Sequence, residues 1–166
     1  MAGEVVARRA ASPGAIISGG AAAGIIGGVV MAMFEMMYTS MTSGNFMMPL
    51  RLMGATFSGP HALVGGMGVL MWGMVVHLMT SAVLGIIFAW MVGPNFSGGV
   101  ALGLGAGYGI VVMLVMTFLV VPWANPTMSV RIPMMMFAWV IGHILYGMCL
   151  GLVPRFVARS ERVLLD

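Results

Sequence analysis

Four stretches of the chain are apolar almost without interruption: Gly14 to Ser40, Ala62 to Met91, Gly98 to Val121, and Pro133 to Val153. Their hydrophobic residues neither alternate, as in a half-buried strand, nor keep to one face, as on a soluble helix, so each reads as a helix that is apolar all round. About 20 such residues are enough to cross a bilayer, and every stretch has them. Barrel strands would instead alternate over about 10 residues. The pattern therefore predicts an all-α integral membrane fold with four transmembrane helices. The second span, about 45 Å at 1.5 Å per residue, exceeds the hydrocarbon core and is expected to tilt or overhang. What remains is too short for a separate soluble domain. The chain divides into an N-terminal tail (1–13), a membrane domain (14–153) and a basic C-terminal tail (154–166). Within the membrane domain, residues 41–61 hold Pro49, Pro60 and a semi-apolar stretch from Phe46 to Phe57. That segment is expected to lie in the interface or fold back over the bundle.

Composition agrees with the bilayer as solvent. Of 166 residues, 61% are hydrophobic, and the charged ones are seven basic and four acidic, against about a quarter charged in a soluble domain. A soluble enzyme, a disulfide scaffold and a disordered chain are thereby excluded. All seven basic residues are arginines, too scattered for a nucleic-acid-binding face. Five of them, Arg8, Arg9, Arg155, Arg159 and Arg162, flank the ends of the domain, while Arg51 and Arg131 stand singly in the first and third connections. By the positive-inside rule both termini are cytoplasmic, in a bacterial-type inner membrane. Arg8 and Arg9 ahead of an apolar run have the outline of a signal peptide, but the run is too long and reads as an uncleaved anchor. The one cysteine, Cys149, has no partner within the chain for a disulfide.

A faint internal repeat runs through the spans. Gly27 to Met31 lines up with Gly109 to Met113, and Arg51 with Arg131, each beside a proline. His77, Ser81 and Leu84-Gly85 line up with His143, Gly147 and Leu150-Gly151. Two helical hairpins in parallel repeat follow, since each copy holds an even number of spans. Residues four apart share a helix face, and small residues there let membrane helices approach closely. The stripes His77/Ser81/Gly85 and His143/Gly147/Gly151 are accordingly expected to pack the second and fourth helices against each other across the pseudo-twofold axis. Gly20/Gly24/Gly28 and Gly99/Gly103/Gly107 are expected to make further close contacts within the chain or with other subunits, a lone chain not needing all four.

Three groups of residues carry candidate chemistry. His77 and His143 lie at mid-span in their helices, where they form either a hydrogen-bonded core pair or the axial ligands of a b-type haem. Glu35 is the one acid within a span, and an intramembrane carboxylate is a functional candidate by default. Arg51 and Arg131 are expected on the same side, with Tyr38 nearby, so an ion pair is the structural alternative. The 21 methionines suit Cu(I) by their thioethers, with Met33, Met37 and His61 as candidate ligands, or are simply adaptable apolar filler. No P-loop, zinc-spaced ligand set, nucleophile with base, or carboxylate dyad is present, so a catalytic role is not expected. The first functional reading is a small non-catalytic subunit within a larger membrane complex, an energy-transducing one foremost. Alternatives are a haem-binding electron-transfer subunit and a small oligomeric ion, proton or metal channel or transporter. The implied partners are the lipid bilayer and other membrane subunits or copies of the chain, with no nucleic acid.

Overall fold

A computed structural model describes residues 11–94, 96 and 98–165. Arg8 and Arg9, with the rest of residues 1–10, lie outside them, as does part of the second connection. All regular structure among the described residues is helical. Four helical runs are long and apolar enough to cross a membrane, Pro13–Ser43, Met67–Val92, Gly98–Ala124 and Ile132–Val163.

Local chemistry sets the boundaries. Helix α1 (Pro13–Ser43) starts where the Ser12 hydroxyl accepts from the Ala15 N–H at 3.3 Å, with Pro13 at the first helical position, where its missing N–H costs nothing. It stops at Gly44, whose φ of 68° directs its N–H back to the Ser40 carbonyl. Helix α2 (Met48–Ser58) and a 3₁₀ turn (Gly59–Val64) then fold back along α3 (Met67–Val92). The second span thus begins at Met67 rather than Ala62. Pro60 and the Gly65-Gly66 pair favour a tight turn and an extended residue over another helical turn.

Helix α4 (Gly98–Val115) continues through a π turn (Met116–Val120) into the short α5 (Val121–Ala124), three residues past the expected end of that span. Pro122 accounts for the π turn, because it cannot donate to the carbonyl four residues back and its ring crowds that carbonyl. The Val121 N–H bonds instead to the Met116 carbonyl, five residues back. A short α6 (Pro126–Ser129) and a 3₁₀ turn (Ile132–Met135) lead into α7 (Met136–Leu150). The fourth span therefore ends its regular helix before Val153. After a turn at Gly151 and Leu152, the C-terminal tail forms α8 (Val153–Leu165), which packs on α1. There Val157 is seated on Gly19, and the Ser12 N–H donates to the Glu161 carboxylate.

The spanning helices form a ring in the order α3, α1, α7, α4. Glycines set the spacing along two seams. On the α1–α3 seam a Cβ at Gly20 would lie 2.8 Å from the Ala89 Cβ, and Gly24 and Gly28 press on Ser81. On the α4–α7 seam Gly105 and Gly109 press on the backbone of Gly147 and His143, and Gly151 on Leu102. The stripes of His77 and His143 therefore each face their own hairpin partner, which corrects the expectation that the second and fourth helices meet along them. Gly99, Gly103 and Gly107 take no part in the packing within the chain. Inside the chain a Cβ on any of them would meet nothing within 4 Å. They stand two residues, or about 200°, around α4 from the glycines that do pack. The ring closes between α3 and α4 where Phe88 and Tyr108 stack at 5.2 Å and the Tyr108 hydroxyl donates to the Leu84 carbonyl at 3.0 Å.

At the α2 end of the bundle, Asn125 joins the two connections. Its Nδ2 donates to the Leu52 carbonyl at 2.7 Å and to the Thr56 hydroxyl at 3.0 Å, and its Oδ1 accepts from the Met128 N–H at 3.0 Å. Asn125 is buried, so Asn125→Ala removes the side-chain bonds that tie Leu52 and Thr56 of α2 to the third connection. The expected cost is about 1–3 kcal/mol, read as a lower unfolding midpoint in detergent. An unchanged midpoint would mean that α2 is held by apolar packing alone.

Candidate functional site: a cavity between the four long helices

The ring surrounds a partly open cavity of about 80 Å³, reached by all four spanning helices and by the two short helices at the α2 end. Its wall follows from position along each helix. Met31 of α1, His77 of α3, Val112 of α4 and His143 of α7 form a middle layer. One turn toward the α2 end come Glu35, Met116 and Trp139, and beyond them Met53 of α2 and Met128 of α6. Toward the α8 end, Ser81, Leu84 and Tyr146 close the floor.

Both imidazoles are buried and oriented by backbone. His77 Nε2 lies 2.9 Å from the Gly28 carbonyl, and His143 Nδ1 lies 2.8 Å from the Trp139 carbonyl. A carbonyl only accepts, so each of these ring nitrogens carries the proton of a neutral imidazole. The lone pairs are then on His77 Nδ1 and His143 Nε2. Trp139 packs on His143 with ring centroids 4.4 Å apart, and its indole N–H donates to the Thr117 hydroxyl at 2.7 Å, on the π turn. The Tyr146 hydroxyl donates to the Ser81 carbonyl at 2.8 Å and ties α7 to α3 across the cavity floor.

Glu35 is 5% exposed, and its Oε1 has no hydrogen-bond partner. That oxygen lies over Gly142, where a Cβ would sit 3.0 Å from it. The ion pair expected from the sequence is not formed. Arg51 Nη1 donates to the Leu63 carbonyl and Arg131 Nη1 to the Thr127 carbonyl, both at 2.8 Å. Each arginine closes its own connection, and the buried Arg51 Nε has no hydrogen-bond partner. Tyr38 stacks on Phe137 at 5.6 Å, away from the cavity wall.

The methionines divide sharply. Met33 and Met37, the candidate copper ligands, are 59% and 57% exposed on the outer face of α1, and His61 is exposed beyond α2. Those three do not converge. Met31, Met53, Met116 and Met128 do line the cavity; of these only Met53, which gathers with Met47, Met48 and His61 in the first connection, stands out in the sequence. Helical spacing holds one clue, since Met31 stands four residues before Glu35 and so shares its face.

The arrangement limits what the cavity accepts. Pockets for cofactor-sized ligands run to about 300–1,000 Å³, so no porphyrin fits between the imidazoles as they stand. The space suits a bare ion or a few waters. Among the described residues no three His, Cys, Asp or Glu side chains converge as a metal centre. No protein-family model, curated protein or solved structure matches the chain. Its described residues form an all-helical structure with four helices long and apolar enough to span a membrane, arranged around a mostly apolar cavity that also receives Glu35, His77 and His143.

Proposed function

We propose that the protein is a small cation transporter or channel in which Glu35 receives the cation inside the membrane. The observation that carries this reading is the buried Glu35 Oε1 with no protein partner. A carboxylate held among apolar helices without a counter-charge is very costly, so a proton or another cation must complete it. Intramembrane acids and histidines of this kind mark ion pathways and proton relays. A purely structural role gives no reason to keep this group uncompensated.

The two hairpins support a duplicated origin. Gly24 meets Ser81 as Gly105 meets Gly147, and the next seam residue outward is Gly28 in one hairpin and Gly109 in the other. This matches Gly28 to Gly109, one residue off the register suggested by the sequence, and sets Glu35 against Met116. Two copies with an even number of spans place both termini on one side, the cytoplasmic side by arginine bias.

Purified protein in proteoliposomes tests the reading. A cation gradient should dissipate faster than in protein-free vesicles, with protons, alkali ions and soft metal ions assayed separately. No flux of any of them would overturn it. A second reading, a subunit of a larger membrane assembly, is favoured by the open Gly99/Gly103/Gly107 face of α4, which suits close approach of another helix. It requires unlike chains to copurify at fixed stoichiometry from native membranes.

A further inference from the structure

We propose that the cation is a soft monovalent metal of the Cu(I) class, held by thioethers of the cavity methionines and a histidine nitrogen, with Glu35 balancing its charge. The inference rests on the transport reading above and names its substrate. It starts from the donors that face the cavity. Met31, Met53, Met116 and Met128 come from four separate elements, and they share the cavity wall with His77 and His143. Met128 Sδ already lies 3.9 Å from Asn125 Nδ2, which leaves the other three sulfurs uncommitted.

Hard cations are poorly served here. Ca²⁺ takes about six to eight oxygen ligands and Mg²⁺ an octahedron of them, whereas the cavity wall offers one carboxyl, the hydroxyls of Thr80, Ser81 and Tyr146, and helix carbonyls. Zinc takes about four ligands from Cys, His, Asp and Glu, and no such group of three converges among the described residues. Thioethers with imidazole are the donor set that selects Cu(I).

The histidines have the form that ligation requires. Each gives one ring N–H to a backbone carbonyl, which fixes the tautomer and leaves the other nitrogen's lone pair free, the usual second bond of a metal-ligating imidazole. Charge points the same way. A monovalent cation beside one carboxylate makes a neutral pair, and a divalent ion would leave a net charge among apolar helices. The volume of about 80 Å³ takes an ion stripped of its water, which thioether ligation makes favourable. Met53 and Met128 line the α2 end of the cavity, Met116 the layer beneath them, and Met31 the histidine layer itself. No change of oxidation state is involved.

The test uses the full chain in detergent, kept anaerobic, with Cu(I) maintained by ascorbate and Ag(I) as a redox-inert probe. Competition against a chromophoric Cu(I) chelator should return one Cu(I) per chain, and X-ray absorption should show sulfur and nitrogen together in its first shell. Met53→Leu and Met116→Leu conserve volume and apolarity, so they should keep the fold while weakening Cu(I) binding at least about tenfold. Met33→Leu and Met37→Leu should leave it unchanged. Failure to retain either metal, or retention lost with Met33 and Met37 and not with Met53 and Met116, overturns the proposal. The two readings fail separately. Proton or alkali-ion flux without Cu(I) binding overturns the metal and leaves the transporter, and tight Cu(I) binding without flux of any cation overturns the transporter and leaves the site.

Discussion

Glu35→Gln is expected to abolish cation flux in proteoliposomes while leaving the unfolding midpoint in detergent unchanged or raised. Gln keeps the shape of the side chain and removes its capacity for negative charge. In the wild type, Glu35 Oε1 is buried over Gly142 with no hydrogen-bond partner, and Arg51 and Arg131 are bonded elsewhere. The native fold therefore gains little from the carboxyl, and replacing an uncompensated ionisable group with a neutral one removes a penalty. Loss of function with no loss of stability is the pattern of a group kept for its chemistry. Glu35→Asp, which retains the charge but withdraws it toward α1, should retain part of the flux. Flux of Glu35→Gln within a factor of two of wild type would take the carboxyl off the pathway. A lowered midpoint would mean that it supports the fold through contacts other than hydrogen bonds.

Gly105→Ala is expected to destabilise the protein strongly and Gly103→Ala hardly at all, although the two glycines stand two residues apart in one helix. A Cβ at Gly105 would press into the Gly147 carbonyl, and a Cβ at Gly147 into the Gly105 carbonyl. Backbone cannot turn aside as the end of a flexible side chain can, so α4 and α7 must separate. Overpacking of that kind costs about 1–3 kcal/mol. Gly103 meets nothing within 4 Å, and an alanine there brings the better helix propensity, worth up to about 1 kcal/mol. The effect should reach the cavity as well, because Gly109 on the same seam rests on the His143 backbone. Thermal unfolding of both variants in one detergent decides the point. Equal midpoints would mean that α4 and α7 do not meet this closely.

Much of the architecture is legible in the sequence because the bilayer imposes a rule that a single chain can display. Backbone polar groups must be satisfied within each span, so apolar length alone marks the four helices. Span ends are less legible, since they depend on local turns. Gly65-Gly66 delays α3, and Pro122 converts the end of the third span to a π turn. The glycine stripe on α1 packs as its spacing predicts, whereas on α4 the packing stripe is Gly105 and Gly109 and not Gly99, Gly103 and Gly107. Both faces of α4 carry glycine at spacing four, so spacing has no means of choosing between them.

The sequence by itself determined that the chain is helical, where it is apolar enough to span a membrane, and that Glu35, His77 and His143 are the acid and the histidines it carries within the spans. Tertiary structure alone decided which of its surfaces meet. It set α1 against α7 to join the two hairpins, gave Arg51 and Arg131 to backbone carbonyls, and left Glu35 Oε1 unpartnered. It also separated four cavity methionines from those on the outer faces. The physical reason is that a helix apolar on every side carries no stripe in its sequence to say which side faces inward. In lipid that choice falls to close packing of small residues and to hydrogen bonds between helices, and both exist only once the helices have met.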